Sequence, residues 1–207
     1  MAAWPRLANG IAAVSSGVRA LGFGVYLAGM LAGMVSMGLA GGPAMADQKD
    51  PRLGALFEDL ASAKTRLEAA PIEDRIWRLW IAADDEAVDL AMGAGMHAMN
   101  LGDGAGALEA FNEAIAADPD FAEAWNKRAT LHYLLRRYAE SVADIERTLE
   151  LEPRHFGALS GLALIREKQN RPFEALEALE RASQIHPQLS NLREWVDRLT
   201  AQFGEPI

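Results

Sequence analysis

The chain has 207 residues, of which 50% are hydrophobic, and its formal net charge is -9. It contains no cysteine, which excludes disulfides, thiolate catalysis, cysteine-based zinc sites and a lipid-modified cysteine anchor. The acidic balance, with no basic cluster interleaved with aromatic residues, argues against nucleic-acid binding because an acidic surface repels phosphates.

Residues 1–46 have the composition of a targeting segment. They contain no acidic residue and two basic ones, Arg6 and Arg19, and residues 20–46 carry no charge at all. The segment ends in Ala44-Met45-Ala46, the small-x-small pattern that signal peptidase recognises. We therefore predict residues 1–46 to be a signal peptide, and the rest of the chain to be exported, with a bacterial periplasm as the simplest location.

The competing interpretation is an uncleaved anchor in the inner membrane, formed by residues 20–41. This apolar run is close to the length of about 20 residues that spans a bilayer. Gly29 and Gly33 also form a GxxxG spacing, which packs transmembrane helices. A contact with the membrane is expected only in this alternative.

The next residues predict a short linker and a helical hairpin. We expect the linker over residues 47–53 and the hairpin over residues 54–87, as a degenerate repeat unit stacked before the others. Apolar spacing predicts a first helix that ends at Pro71. A second helix is expected around the apolar residues Ile76, Trp77, Leu79, Trp80 and Ile81.

The remainder of the chain repeats itself with a period of about 34 residues. Pro119, Pro153 and Pro187 are equally spaced at this period. Residues that are one period apart also have side chains of similar size. Two such sets are small: Gly95, Ala129 and Ala163, and Ala107, Ser141 and Ala175. A third set is large and apolar: Phe111, Ile145 and Leu179. Such a period indicates stacked supersecondary units.

The unit consists of two amphipathic helices. In the second unit, Trp125, Ala129 and Tyr133 lie on one stripe of the first helix, and the second helix ends before Pro153. Asp120, with Glu123 three residues later, resembles a capping box at the start of the first helix. Each hairpin has more apolar surface than it buries alone, so the hairpins must stack.

This order of large and small residues resembles the tetratricopeptide repeat, which places a tryptophan, a small residue and a tyrosine in its first helix, followed by an alanine, a phenylalanine and a proline. The units are residues 88–121, 122–155 and 156–189. We therefore predict an all-α fold, an α-solenoid of tetratricopeptide-type hairpins. Residues 190–203 are expected to form a C-terminal capping helix, with an apolar stripe formed by Leu192, Trp195, Val196, Leu199 and Phe203.

The resemblance implies a concave groove, lined by the first helices of the units, that binds a partner peptide or a partner protein's helix. Carried over by register, the groove-lining residues are Met92, Met96, Met99, Asn126, Thr130, Tyr133, Ser160, Leu164 and Glu167. Some relatives clamp the two carboxylates at the end of a peptide. Asn126 and Lys127 are the candidates for that mode here, fewer than such a clamp needs. We expect no cofactor.

A metal site is a remote alternative. Met92, Met96, His97 and Met99 are soft ligands in one helix, and such residues bind Cu(I). However, consecutive helical residues point in different directions, and the methionines also suit a groove or core stripe. The other histidines, which are His132, His155 and His186, show no ligand spacing and are expected at helix surfaces or boundaries.

Catalytic motifs are absent from the sequence: there is no nucleophile elbow, HExxH, phosphate loop or dinucleotide fingerprint. The acidic runs 84–86 and 118–120 are expected to cap helices. We therefore predict a non-enzymatic adaptor or assembly factor, with a membrane-anchored scaffold as the alternative.

Overall fold

The computed structural model describes residues 48–204, which fold into nine α-helices with no strand. The helices are α1 (Arg52–Ser62), α2 (Arg66–Ile81), α3 (Glu86–Leu101), α4 (Gly104–Ala117), α5 (Ala122–Leu134), α6 (Tyr138–Leu151), α7 (Phe156–Lys168), α8 (Pro172–Ile185) and α9 (Leu192–Phe203). The all-α prediction is confirmed. The predicted signal peptide lies outside the described residues, and within them no helix has the length and apolar character needed to cross a membrane.

Three helix pairs, α3–α4, α5–α6 and α7–α8, recur in a fixed register. Their second helices begin at Gly104, Tyr138 and Pro172, which are equally spaced and separated by the same period as the prolines. Each of the three repeat prolines lies in the turn directly after a second helix. The prolines therefore mark equivalent corners of successive hairpins, as the period predicts.

The turn inside each hairpin is also repeated. Gly102, Arg136 and Asn170, again one period apart, have φ angles of 78°, 60° and 58°. At Arg136 this left-handed residue donates its N–H to the carbonyl of Tyr133, and the next N–H, of Arg137, reaches the carbonyl of His132. These bonds satisfy carbonyls at the end of the first helix, which explains why the same turn ends α3, α5 and α7.

Small residues hold the two helices of a hairpin close together. A Cβ added to Gly95 would lie 2.4 Å from the ring of Phe111, so a side chain there would require that ring to move. In the next pair the buried hydroxyl of Ser141 donates to the carbonyl of Ala129 at 2.7 Å. The small columns of the sequence are thus the contact line between paired helices.

The N-terminal hairpin, α1–α2, differs from the prediction in its boundaries. The expected linker 47–53 extends too far, because α1 begins at Arg52 and Leu53 is buried. Pro71 does not end a helix; it lies inside α2. Thr65 starts α2 by accepting the N–H of Glu68, and Pro71 follows within the second turn, where it removes only one backbone hydrogen bond.

The location of this hairpin is the main departure from a simple array. We predicted that it precedes the first unit in the stack, and this is wrong. Its apolar residues form one core with α7, α8 and α9, whereas α3 and α4 belong to a separate apolar cluster. Helix α1 packs on α8 and α2 on the start of α5, so the hairpin folds back over the later units.

Helix α9 covers the end of the array, as predicted. Leu192 and Leu199 are buried, and Trp195 and Val196 pack against the same core as α8. Phe203 departs from the predicted stripe, because it is 38% exposed. The amphipathic spacing of this helix is therefore used to close the last unit, except at its final turn.

The start of α5 is capped by a residue distant in sequence. Its N-cap residue is Phe121, which has no polar side chain, and the expected capping box of Asp120 and Glu123 does not form. Gln48 takes this role: its side-chain oxygen accepts the N–H of Ala122, and its amide donates to the carbonyl of Asp120. This contact ties the N-terminal end of the described chain to the corner between α4 and α5.

Candidate functional site

The nine residues predicted to line a groove fall into three register triplets on one face of α3, α5 and α7. Members of each triplet are one period apart, and the structure separates the triplets by burial. The first is Met92, Asn126 and Ser160; the second is Met96, Thr130 and Leu164; the third is Met99, Tyr133 and Glu167. The first triplet is buried and the other two remain partly exposed.

The first triplet does not line an open groove, which corrects the prediction for these three residues. Met92 is 1% exposed and belongs to the apolar cluster of the first helix pair. Asn126 is buried and its amide donates to Glu123 at 2.9 Å. The hydroxyl of Ser160 donates to the carbonyl of Phe156 within its own helix. Their polar groups are thus satisfied inside the protein.

The second and third triplets form an accessible strip, hereafter the groove strip (Met96, Met99, Thr130, Tyr133, Leu164 and Glu167). Its side chains are partly exposed. The ring of Tyr133 packs against that of Tyr138 at 5.7 Å, and burial raises the pKa of its hydroxyl. The strip runs from methionines in α3, through hydroxyl groups in α5, to an acid in α7.

Helix α9 positions the acidic end of the groove strip. Trp195 donates its indole N–H to Glu167 at 2.7 Å, and Arg198 forms two bonds of 3.0 Å with the same carboxylate. Burial alone raises the pKa of Glu167, but the bonds from Arg198 and Trp195 outweigh it and leave the pKa below its ordinary value. The strip therefore ends in a fixed carboxylate.

Helix α2 covers the N-terminal ends of α5 and α7. The amine of Lys127 lies 5.7 Å from the centre of the Trp77 ring, a cation–π contact. A Cβ on Gly157 would come within 2.7 Å of the same ring, so the glycine admits the tryptophan. Trp77 also meets the ring of Phe156 edge-on at 5.4 Å. This helix closes the start of the predicted groove at α5 and α7, whereas Met92 is buried in the cluster of the first helix pair.

Beneath α2 lies a buried polar cluster, formed by Glu123, Lys127 and His155. One carboxylate oxygen of Glu123 is 2.7 Å from the Lys127 amine, and the other is 3.0 Å from His155 Nε2. His155 Nδ1 accepts the N–H of Ala158, so the ring proton is on Nε2 and is donated to Glu123. Trp80 stacks on the His155 ring at 4.1 Å.

The charge state of this cluster follows from its contacts. Burial by itself raises the pKa of Glu123, but the charge of Lys127 and the hydrogen bond from His155 lower it to about 2. A buried carboxylate persists only with such partners. Lys127 and Asn126, the candidates for clamping a peptide carboxylate, are therefore already bound to an internal one.

A second buried contact joins the hairpin to the end of α8. His186 Nε2 lies 3.2 Å from the carboxylate of Glu73, which also pairs with Arg66. Burial raises the pKa of Glu73, but the bonds from His186 and Arg66 bring it below its ordinary value. Helix α2 thus contacts two buried histidines, which are His155 at the start of α7 and His186 at the end of α8.

The sequence prediction for these two histidines is confirmed in their position but not in their exposure. His155 and His186 do lie at helix boundaries, but they are fully buried. Sequence reasoning also missed Glu123 as a site residue. The only available signal was the dense apolar run around Trp77 and Trp80, which indicates a buried helix without naming its partners.

The proposed soft-ligand group does not face one direction. Met92 is in the core and Met96 and Met99 pack partly against it, whereas His97 is exposed on the opposite side. Over residues 48–204, no three histidine, aspartate or glutamate side chains are arranged to hold a metal ion.

Comparison with known sequences identifies the repeat. A family model described as tetratricopeptide repeat matches residues 92–147 and 129–190. A TPR repeat-containing protein of Rhizobium etli is 37% identical over 153 residues, which are 74% of this chain and 75% of that protein.

Comparison with solved structures agrees on the fold. The TPR domain of Arabidopsis OM64 superposes with a TM-score of 0.55 at 20% identity, over 57% of this chain and 98% of that domain. The first TPR of Spaghetti (RPAP3), bound to the HSP90 peptide SRMEEVD, gives a TM-score of 0.55 at 17% identity, over 58% and 98%. At these identities the likeness concerns architecture alone.

Proposed function

The chain belongs to the tetratricopeptide repeat family, and on this premise we propose that it is a protein–protein interaction module whose groove strip binds a peptide or helix of a partner protein. In this role it acts as an adaptor or assembly factor and not as an enzyme. The structurally similar Spaghetti domain holds a peptide, which supports a binding role for the architecture. Architecture alone names no partner.

The observation that carries the proposal is the continued exposure of two register triplets along the first helices of three successive units. The first helix of every unit contributes two residues to this strip. Met96, Met99 and Leu164 offer apolar surface, and methionine adapts to differently shaped partners. An extended peptide or a helix laid across α3, α5 and α7 would contact all three units at once.

The chemistry of the strip favours an apolar segment. Glu167 is held by Arg198 and Trp195 within the protein, so its charge is compensated there and is not an open site for a partner cation. An acidic peptide such as SRMEEVD is a poor match, since Lys127 and Asn126 hold Glu123 instead of facing the strip. The partner therefore differs in chemistry from the peptide in the Spaghetti complex.

The experiment is photo-crosslinking from two positions in cells. A photoreactive residue at Tyr133 lies in the strip, and one at Phe173, which is 46% exposed on α8, serves as the control. The segment crosslinked only from Tyr133 is then synthesised and titrated against purified protein by calorimetry. The variant Met96→Glu with Leu164→Glu should weaken its binding by about tenfold or more, which is about 1.4 kcal/mol.

The control variant is Leu67→Glu, because Leu67 is 86% exposed on α2 and lies outside the strip. It should bind the segment like the wild type, and circular dichroism should show that both variants remain folded at the temperature of the titration. Equal crosslinks from Tyr133 and Phe173, or undiminished binding by the strip variant, would contradict the proposal. Binding of SRMEEVD with similar affinity would contradict the proposed partner chemistry.

We also propose that the module works outside the cytoplasm, after cleavage before Asp47. The support is the sequence of residues 1–46, with its uncharged run and its terminal Ala44-Met45-Ala46. N-terminal sequencing of protein purified from cells tests this directly. An N-terminus at Asp47 supports export with cleavage, and a retained leader would favour the membrane-anchored scaffold.

A further inference from the structure

The outward face of α3 is unpartnered where the same face of later units is buried. Leu90 is 75% exposed, whereas its register equivalents Ala124 and Ala158 are 0% and 1% exposed. His97 is exposed, whereas its equivalents Leu131 and Ile165 are buried. In the later units the preceding helix pair covers these positions. The face of α3 is therefore a stacking surface without a preceding pair.

This stacking surface, hereafter the open face, is a stripe along α3 formed by Leu90, Ala94, His97 and Leu101. Leu90 and His97 take the positions that later units bury, and Ala94 and Leu101, whose equivalents in later units also reach the surface, extend the stripe along the same side. These residues are spaced by three and four, so they follow one side of the helix, and all four are exposed. Leu90 and Leu101 are among the most exposed large apolar side chains in the described part of the chain. The hairpin α1–α2, which could have covered the stripe, packs on α7, α8 and α9 instead.

Charge around the open face has one sign. Residues 79–126 contain ten acidic residues and no lysine or arginine, while the rest of the chain has 19 acidic and 20 basic residues (29 − 10 and 20 − 0). Asp85, Glu86 and Asp89 are exposed at the start of α3, and no salt bridge between described residues involves them. The net negative charge of the sequence thus arises from residues 79–126, although Glu123 of this segment is buried against Lys127 and Asp120 pairs with Arg147.

We infer that the open face is a second docking surface, which receives a basic amphipathic helix of a partner protein. The helix takes the place of the missing preceding pair: its apolar side packs on Leu90, Ala94 and Leu101, and its lysines or arginines face Glu86 and Asp89. The burial of two exposed leucines and the complementary charge favour this occupant. The inference is independent of the groove strip, which lies on a different side of α3.

Charge argues against the two other candidate occupants. A second copy that used the same face would bring two acidic first units together, which is repulsive. A second copy in head-to-tail order would need the C-terminal end, which α1 and α9 already cover. Residues 20–46 of the chain itself carry no charge, and the whole leader, with Arg6 and Arg19, is removed by the cleavage proposed before Asp47.

The test is a titration of the full chain with two synthetic amphipathic helices. Both have leucines on one face; the opposite face carries lysines in one helix and glutamates in the other. Fluorescence anisotropy should show binding of the lysine helix only, and the affinity should fall with added salt. Leu90→Ser with Leu101→Ser should weaken binding by about tenfold or more. Leu67→Ser, at a still more exposed leucine on α2, is the control and should leave binding unchanged.

Three results would overturn the inference. The first is equal binding of the glutamate helix, and the second is undiminished binding by the Leu90→Ser, Leu101→Ser variant. The third is a crosslink from a photoreactive residue at position 90 to a second copy or to residues 1–47 in the protein from cells. Loss of groove-strip binding in Met96→Glu with Leu164→Glu, with lysine-helix binding intact, would show that the two surfaces are separate.

Discussion

The two ends of the repeat array are finished in opposite ways. At the C-terminal end, the last pair α7–α8 is covered by α9 and by the returning hairpin α1–α2, and all five helices share one apolar core. At the N-terminal end, α3 presents an apolar stripe and a row of acids to the surroundings. The repeat array is thus closed at its C-terminal end and open at its N-terminal end.

This difference shows that a repeat array does not have to be capped by its neighbours in sequence. The hairpin α1–α2 is adjacent to α3 along the chain, yet it stabilises the last helices of the array. Its contact between Glu73 and His186 spans a sequence separation of 113. Terminal surfaces that stay uncovered in a repeat protein are candidates for binding.

The largest difference in stability between the two ends is expected when a large apolar side chain is replaced by alanine. Trp80 is 1% exposed and contacts Phe57, Phe156 and the ring of His155. Trp80→Ala should lower the free energy of unfolding by about 3 to 5 kcal/mol. Leu90→Ala at the open end should change it by less than about 0.5 kcal/mol. Urea unfolding followed by circular dichroism measures both, and similar losses would remove the contrast.

The loss of folding stability in acid should also arise from the closed side. The pKa of Glu123 in the folded protein, about 2, is below the ordinary 4.5, so its ionised form stabilises the fold above about pH 4.5. This contribution, roughly 3 kcal/mol, is lost as the pH falls from about 4.5 towards 2. Unfolding free energy measured at a series of pH values should fall less steeply in Glu123→Gln than in the wild type.

The control for that experiment is Asp89→Asn, because Asp89 occupies the register of Glu123 in the first unit and is exposed. It should keep the acid dependence of the wild type. An unchanged slope in Glu123→Gln would mean that the buried cluster does not set the acid sensitivity of the fold.

The buried helix contacts and the open face should also differ in how well they tolerate a larger side chain. Ala129 is 2% exposed and lies where α5 and α6 approach most closely. Ala129→Phe should overpack this contact and cost about 1 to 3 kcal/mol. Ala94→Phe, on the open face, should cost little. Thermal unfolding of the two variants makes the comparison, and an unaltered Ala129→Phe would count against the register of the units.

The smallest loss of stability is expected when Gln48, which caps α5 from a distant part of the sequence, is replaced. Gln48→Ala removes the hydrogen bonds to Ala122 and Asp120 that satisfy the start of α5. A lost N-cap typically costs about 1 kcal/mol. The paired variant Asp103→Ala removes the local cap of α4, in which Asp103 accepts the N–H of Gly106. Hydrogen exchange should rise at the start of α5 only in Gln48→Ala; a rise there in Asp103→Ala instead would contradict this assignment.

The parts of the fold set by short-range patterns were predictable from sequence. The spacing of Pro119, Pro153 and Pro187 located the corners, and the small residues at 95, 129 and 163 located the close contacts inside the pairs. Register also placed the six groove-strip residues on one face. These features depend on helix periodicity, which local sequence specifies.

The placement of the first hairpin was not predictable, because nothing local distinguishes stacking before α3 from folding back onto α7. The choice depends on which distant surface fits Trp77 and Trp80, and that surface includes His155 and the neighbours of Glu123. For the same reason the burial of Met92, Asn126 and Ser160 was missed. A single sequence indicates that a helix is buried but does not indicate its partner.

The returning hairpin has a consequence for how the protein is made. The contact between Glu73 and His186 cannot form until His186, 113 residues later, has been synthesised. Ribosomes add about 5 to 20 residues per second. Trp80 meets His155 and Phe156 only 75 residues later (155 − 80), so for roughly 4 to 15 s it lacks these native partners. The chain closes only when its last helices arrive, so a truncated product lacks the surface on which its first hairpin rests.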